Sequence, residues 1–294
     1  MPTKIEWAEE TINPVRTVDG GYHCTKISPG CSMCYAERFN KRFGNGKPFD
    51  AAPTEFVLWK KPLQDVLRWR KPRLVFVQSM GDLFHPDVPF EIVTNIFGTM
   101  HSVKKHTYMI LTKRPERMAE FIRWYSKWIG FNAWPREYPH VWLGVTAENQ
   151  EQADKRIPVL LQTPAAVHYL SIEPMLSHIS LSTIDLGGAG RWGRNYGMPQ
   201  IDWVICGGET GPGARPMHPD WARSLRDQCQ AAGVSFFFKQ HGEWMWWHQD
   251  GIPYVADGLK ARHEWPDKSH SFRVGKKAAG RLLDGREWNE MPEA

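Results

Sequence analysis

Six short apolar runs recur along the chain, each followed by a stretch with helical character. They are RLVFVQS (73–79), TYMILTK (107–113), HVWLGVT (140–146), VHYLSIEP (167–174), IDWVICGG (201–208) and SFFFKQ (235–240). Each is nearly continuous in apolar residues, the pattern of strands covered on both faces. Residues 89–106 carry apolar side chains at helical spacing, and 115–129 opens on Pro115, which suits a first helical turn. Residues 218–234 end near Gly233, a helix stop. Repeated strand-then-helix units imply parallel strands, in a barrel or an open doubly wound sheet. A further strand is expected around 12–18.

The chain has 294 residues. An α/β barrel takes roughly 250, so one domain with an appendage fits, as do two ordinary domains. The Gly-rich segment 182–200 reads as a long loop. After Gln240 the pattern becomes polar and Trp-rich, with Asp284-Gly285 as a hairpin signal. The expected division is therefore 1–240 for the barrel and 241–294 for a small C-terminal appendage. The 15 tryptophans, among them Trp244, Trp246 and Trp247, read first as packing and second as platforms for nucleobases.

A formal charge of +5 permits a polyanionic partner without demanding one. Five cysteines, three of them within eleven residues, do not suit a disulfide framework. The N-terminal MPTKIEWAEETINPV has no apolar h-region, and no run approaches the ~20 residues of a membrane span. A cytoplasmic protein that needs no membrane is expected.

Polar residues cluster where the expected strands end. They are Ser79, Gly81, Asp82 and His85; Thr112, Lys113 and Arg114; Thr146 and Glu148; Ser171 and Glu173; Gly207, Gly208 and Glu209; Lys239 and Gln240. In parallel α/β folds, active sites sit at that edge. The competing explanation is that loops are simply polar.

The cysteine loop reads HCTKISPGCSMCYAERF (23–39), with spacing Cys24-x6-Cys31-x2-Cys34. Thiolates are soft donors, suited to iron–sulfur clusters and zinc. Pro29-Gly30 supplies a turn before the close pair. Electron-transfer cubanes normally take four Cys ligands, and no fourth lies nearby. Three ligands leave one iron open for an exogenous chelator, and S-adenosylmethionine (SAM) is the natural one. Zinc, with His23 or a distant His as fourth ligand, fits the spacing comparably.

The trio, followed by Tyr35-Ala36-Glu37-Arg38, resembles the cluster loop of radical SAM enzymes. The whole chain resembles a phage- and prophage-associated family of radical-SAM-like proteins. The matching stretches are INPV, SPGCSMCYAERF, QSMGDLFH, LTKRPERM, VWLGVTAE, YLSIEPML, WVICGGETGPGARPM, FFFKQHG and GKKAAGRLLDGREW, running from Ile12 to Trp288. The resemblance implies a radical SAM-type (β/α) barrel, complete or partial, with a [4Fe-4S] cluster on Cys24, Cys31 and Cys34 and with SAM. The usual spacing is C-x3-C-x2-C, so the first gap departs from the pattern. Met33 stands where an aromatic residue is usual, with Tyr35 after Cys34. Ser79-Met80-Gly81-Asp82 stands where a GGE-like segment holds the SAM amino group, and Asp82 is its carboxylate. Lys113 is expected at the SAM carboxylate or a substrate phosphate, and Thr146 and Glu148 at the SAM ribose or methionine. Arg114, Glu173, Glu209 and Lys239 are expected to face substrate. No catalytic residue is assigned.

The leading expectation is an enzyme that cleaves SAM reductively, fed by an external one-electron reductant. The basic balance, the tail and the resemblance lean toward a nucleic acid or nucleotide substrate. Arg38, Lys41, Arg42, Lys60, Lys61, Arg68, Arg70, Lys71 and Arg73 form a basic stretch suited to phosphates, or simply a solvated face. The alternatives are a zinc-stabilised nucleic-acid-binding protein without catalysis and a nucleotide hydrolase. The hydrolase is weakened by the absence of GxxxxGK[ST].

Overall fold

A computed structural model describes residues 3, 5–49, 55–130, 138–183, 200–246 and 261–292. The elements in chain order are β1 (Glu10–Ile12), β2 (Val15–Thr17), α1 (Tyr35–Phe43), β3 (Phe56–Leu58), α2 (Lys60–Arg68), β4 (Leu74–Val77), α3 (Phe90–Ser102), β5 (Thr107–Thr112), α4 (Pro115–Ile129), β6 (Val141–Thr146), α5 (Gln150–Gln162), β7 (His168–Ile172), β8 (Trp203–Gly207), α6 (Pro219–Ala232), β9 (Ser235–Gln240), β10 (Trp244–Trp246), β11 (Arg262–Glu264), β12 (His270–Arg273) and α7 (Lys276–Ala279).

Among the described residues, seven strands form one parallel sheet in the order β1-β4-β5-β6-β7-β8-β9. From β4 onward every strand lies beside its predecessor. Right-handed crossovers that always step the same way leave the helices on one face. The strand order never reverses, so the doubly wound alternative is excluded. The sheet curls into a half-barrel. The expected strand at 12–18 resolves into β1, which joins this sheet, and β2, which pairs antiparallel with β3.

Strand alternation divides the side chains. Val75, Val77, Tyr108, Ile110, Leu143, Val145, Leu170, Val204, Cys206, Phe236 and Phe238 pack outward under the helices. Phe76, Met109, Trp142, Tyr169, Trp203 and Phe237 point inward and form a second, aromatic core closed by Trp7. Trp7 meets Phe76 at 4.8 Å and Trp203 edge-on at 6.4 Å. The inner surface is tight at Gly144, where a Cβ would lie 2.5 Å from the Tyr169 ring. For these tryptophans, packing is the reading that holds; Trp247 lies outside the described residues.

The C-terminal part divides. A three-stranded antiparallel sheet, β10-β12-β11, is followed by α7. Asp284 and Gly285 both have positive φ, 53° and 76°, and Leu283 bridges Arg286, as the hairpin signal predicts. The chain then returns along β9: Phe238 N–H donates to the Trp288 carbonyl at 2.9 Å, and Glu290 N–H to that of Phe236 at 3.2 Å. This covers a sheet edge. Leu283 and Trp288 join the outer core, so the last residues pack with the half-barrel. The expected loop 182–200 falls almost wholly outside the described residues. Among those described, no helix is long and apolar enough to cross a membrane.

Candidate functional site

Each strand hands its next inward position to the layer above the aromatic floor. The inward series therefore changes from Phe76 to Gln78, from Leu111 to Lys113, from Gly144 to Thr146, from Tyr169 through Ser171 to Glu173, and from Phe237 to Lys239. These residues line a cavity of about 410 Å³ at the C-terminal edge of the sheet, roofed by the cysteine loop. Cys24, Cys31, Met33, Cys34, Tyr35, Ser79, Gly81, Asp82, Lys113, Arg114, Thr146, Glu173, Glu209 and Lys239 all line it. Glu148 does not.

The loop is built in two steps. A single 3₁₀ turn, Pro29–Cys31, precedes Cys34, which caps α1. All three cysteines are unpaired and half-buried. Burial pushes the Cys24 thiol up to about 11, with the Asp82 carboxylate adding and the Arg114 guanidinium opposing. Among the described residues, no three Cys, His, Asp or Glu side chains gather as ligands to a single metal ion.

Three carboxylate–arginine pairs from alternate strand ends hold this loop. After β4, Asp82 accepts Arg114 Nη1 at 2.9 Å. Arg114 Nη2 then donates to the Thr25 carbonyl at 3.1 Å and hydroxyl at 2.8 Å, and its Nη1 lies 3.7 Å from Cys24 Sγ. After β6, Glu148 accepts Arg156 at 3.0 Å and the Gly30 N–H at 2.9 Å. Burial alone would raise the Glu148 pKa. Ser28, Lys113, the Gly30 N–H and Arg156 outweigh it and hold the carboxyl below its ordinary value. After β8, Glu209 accepts Arg215 in a two-pronged pair at 2.5 and 2.8 Å, and Arg215 donates onward to the Pro29 carbonyl at 3.1 Å.

These pairings change several assignments. The oxygens of Asp82 already receive Thr112 Oγ1 at 2.7 Å and the N–H groups of Phe84 and Lys113 at 3.0 and 3.1 Å, besides Arg114. Asp82 therefore anchors Arg114 and has no oxygen left over for a ligand's amino group. Arg114 clamps the loop and also lines the cavity. Glu148 is sealed below the loop, away from the cavity. Glu209 holds Arg215. Glu173 remains on the cavity wall, paired with Lys239 at 2.9 Å and with Gln240 at 3.1 Å. Tyr35 donates its hydroxyl to the Ser79 carbonyl, which fixes the ring at the cavity mouth. Among the described residues the Lys113 ammonium has no ion-pair partner, while Thr146 and Ser171 line the cavity beside it.

Of the other wall residues, Glu6 carried no sequence signal, whereas Arg38 stood in the basic stretch. Glu6 bridges Lys276 at 2.8 Å and Lys239 at 3.8 Å, joining both ends of the chain at the cavity. Arg38 reaches the Thr210 carbonyl at 3.1 Å. Of the basic stretch, only Arg38 lines the cavity; Lys41 pairs with Glu37, Lys61 with Asp65 and Arg73 with Glu10.

A family model for a protein of unknown function, DUF5131, matches residues 2–292, and the chain belongs to that family. Comparison with curated proteins and with solved structures gives no match.

Proposed function

Taking membership of a family whose description carries no activity as the premise, we propose that this chain binds a [4Fe-4S] cluster on Cys24, Cys31 and Cys34 and cleaves SAM reductively beneath it. The observation that carries the reading is the roof of the cavity: three thiols on one loop above a chamber with an aromatic floor and a few convergent polar groups, at the C-terminal mouth of a parallel half-barrel.

The residues fit the group on three counts. Three thiolates leave one cubane iron without a protein ligand, open to SAM. A cubane spreads its ligand sulfurs over three irons, so they need not meet at one point as a tetrahedral zinc site requires. The chamber of about 410 Å³ lies within the roughly 300–1,000 Å³ of small-molecule sites. Bound together, cluster and SAM would supply one-electron cleavage of a sulfonium C–S bond, leaving methionine and, after hydrogen transfer from substrate, 5′-deoxyadenosine.

The chain's own residues do the holding. Arg114, anchored by Asp82, fixes the Cys24 end of the loop, while Glu148 and Arg215 fix the turn before Cys31. Lys113, whose charge also favours the ionised Glu148, offers a cation on the cavity wall for a carboxylate. Lys239 and Glu173 neutralise one another on the far wall and keep that side free of net charge. The Trp7 and Phe76 floor excludes water from below.

The test is product formation. Anaerobic protein given dithionite and SAM is expected to release 5′-deoxyadenosine, and Cys31→Ala is expected to release none. Equal release from both proteins would remove Cys31 from the ligand set.

A further inference from the structure

Helix α1 carries an aromatic stripe that none of the described residues buries. Tyr35, Phe39 and Phe43 stand at four-residue spacing, which places them on one face. Their exposures are 50, 50 and 63%. Other large apolar side chains are exposed among the described residues, Trp128 and Val18 among them; three rings in one row on one helix face set α1 apart and mark a binding face. The other face of the helix, with Ala36, Glu37 and Asn40, is buried.

Basic residues flank the stripe. Lys26 and Lys41 pair with the buried Glu37 at 3.0 and 2.8 Å on the opposite side of the helix. At 3.6 residues per turn Arg38 and Arg42 stand beside the ring row, which therefore meets about two positive charges. The Arg42 guanidinium lies 4.8 Å over the Phe43 ring, and Phe39 and Phe43 meet at 4.8 Å as one platform. Stacking rings interleaved with cations suit the bases and phosphates of a single strand. The 4.8 Å between the Phe39 and Phe43 rings is wider than the ~3.4 Å between stacked bases of a duplex strand, so the row fits bases drawn apart. Its inner end is Tyr35, which with Arg38 lines the cavity mouth.

We propose that the α1 stripe binds single-stranded nucleic acid, with bases on Phe39, Phe43 and Tyr35 and phosphates at the flanking cations, and leads the strand to the cavity. This names a substrate class for the enzyme proposed above and rests on that reading for everything that follows binding. Binding itself needs neither the cluster nor SAM, so the two readings fail separately.

The probe is a fluorescent oligothymidylate of about twenty nucleotides, followed by anisotropy on the full chain. Wild-type protein is expected to bind it more tightly than a duplex of equal length. Its log affinity is expected to fall with log salt at a slope of about −1.4, for two phosphates neutralised. The double variant Phe39→Ala/Phe43→Ala removes exposed rings that do not line the cavity. It is expected to weaken binding about 10- to 100-fold, with an unchanged unfolding midpoint. The proposal is overturned by equal affinity in the double variant, by no binding of the oligonucleotide at about 50 mM salt, or by tighter binding of poly-glutamate, which would assign the face to an acidic protein.

Discussion

Arg114 and Asp82 meet at 2.9 Å directly beneath the cysteine loop, and the same guanidinium carries the loop's Thr25 on its other nitrogen at 2.8 Å. Both side chains are about nine-tenths buried. Asp82→Ala leaves the arginine charge buried without its partner. Breaking such a pair costs about 3–5 kcal/mol. Urea unfolding is expected to show a loss of this order, and the variant is expected to lose iron on gel filtration. An unchanged midpoint with full iron retention would contradict the anchoring role.

The second clamp predicts a different signature. Glu148 is fully buried against Arg156 while its other oxygen takes the Gly30 N–H. Glu148→Gln keeps a carbonyl for Gly30 but leaves Arg156 unpaired. Stability is expected to fall by about 3–5 kcal/mol. The double variant Glu148→Gln/Arg156→Met is expected to recover most of it, because the uncompensated charge is gone. A double variant no more stable than the single one would show that the pair's charge is not the issue.

Packing at the aromatic floor gives a third test. Gly144→Ala places a methyl group 2.5 Å from the Tyr169 ring, which is walled in by Trp203. Overpacking of this kind costs about 1–3 kcal/mol. Calorimetry is expected to show a lowered melting temperature, and a midpoint at or above wild type would mean that the ring yields freely.

Acid stability follows from three buried histidines. Each donates Nε2–H to a backbone carbonyl: His140 to Met100 at 2.9 Å, His168 to Thr163 at 2.7 Å and His241 to Leu282 at 2.8 Å. Burial, the largest influence on each, holds their pKa values below the ordinary 6.5. The unfolded chain therefore binds more protons than the folded one once pH drops below 6.5. Stability is expected to fall from there until the pH passes the folded-state values, and to be flat in this respect above neutrality. Denaturant titrations across that range check the sign.

Much of this architecture was readable because burial on both faces writes continuous apolar runs. All six runs became β4 to β9. The strand ends were readable too, and Lys113, Thr146, Glu173 and Lys239 from them do line the cavity. What the sequence concealed was pairing. Arg156 and Arg215 sit far along the chain from Gly30 and Pro29, and no local pattern joins them. Asp82 and Arg114 looked like ligand contacts because a strand-end position says where a side chain stands and nothing about whether it is already satisfied. Glu6 and Lys276 reach the cavity only because both chain ends fold over the open side of the half-barrel. The α1 stripe was present as Tyr35, Phe39 and Phe43, but exposure, which gives it meaning, is a property of the fold.

The central claim is that three thiols over the cavity hold an iron–sulfur cluster. Iron, acid-labile sulfide and zinc measured on protein purified without oxygen test it most directly. The account predicts a brown protein with about four irons and four sulfides per chain, and a colourless Cys31→Ala variant. One equivalent of tightly bound zinc with no iron or sulfide would contradict it.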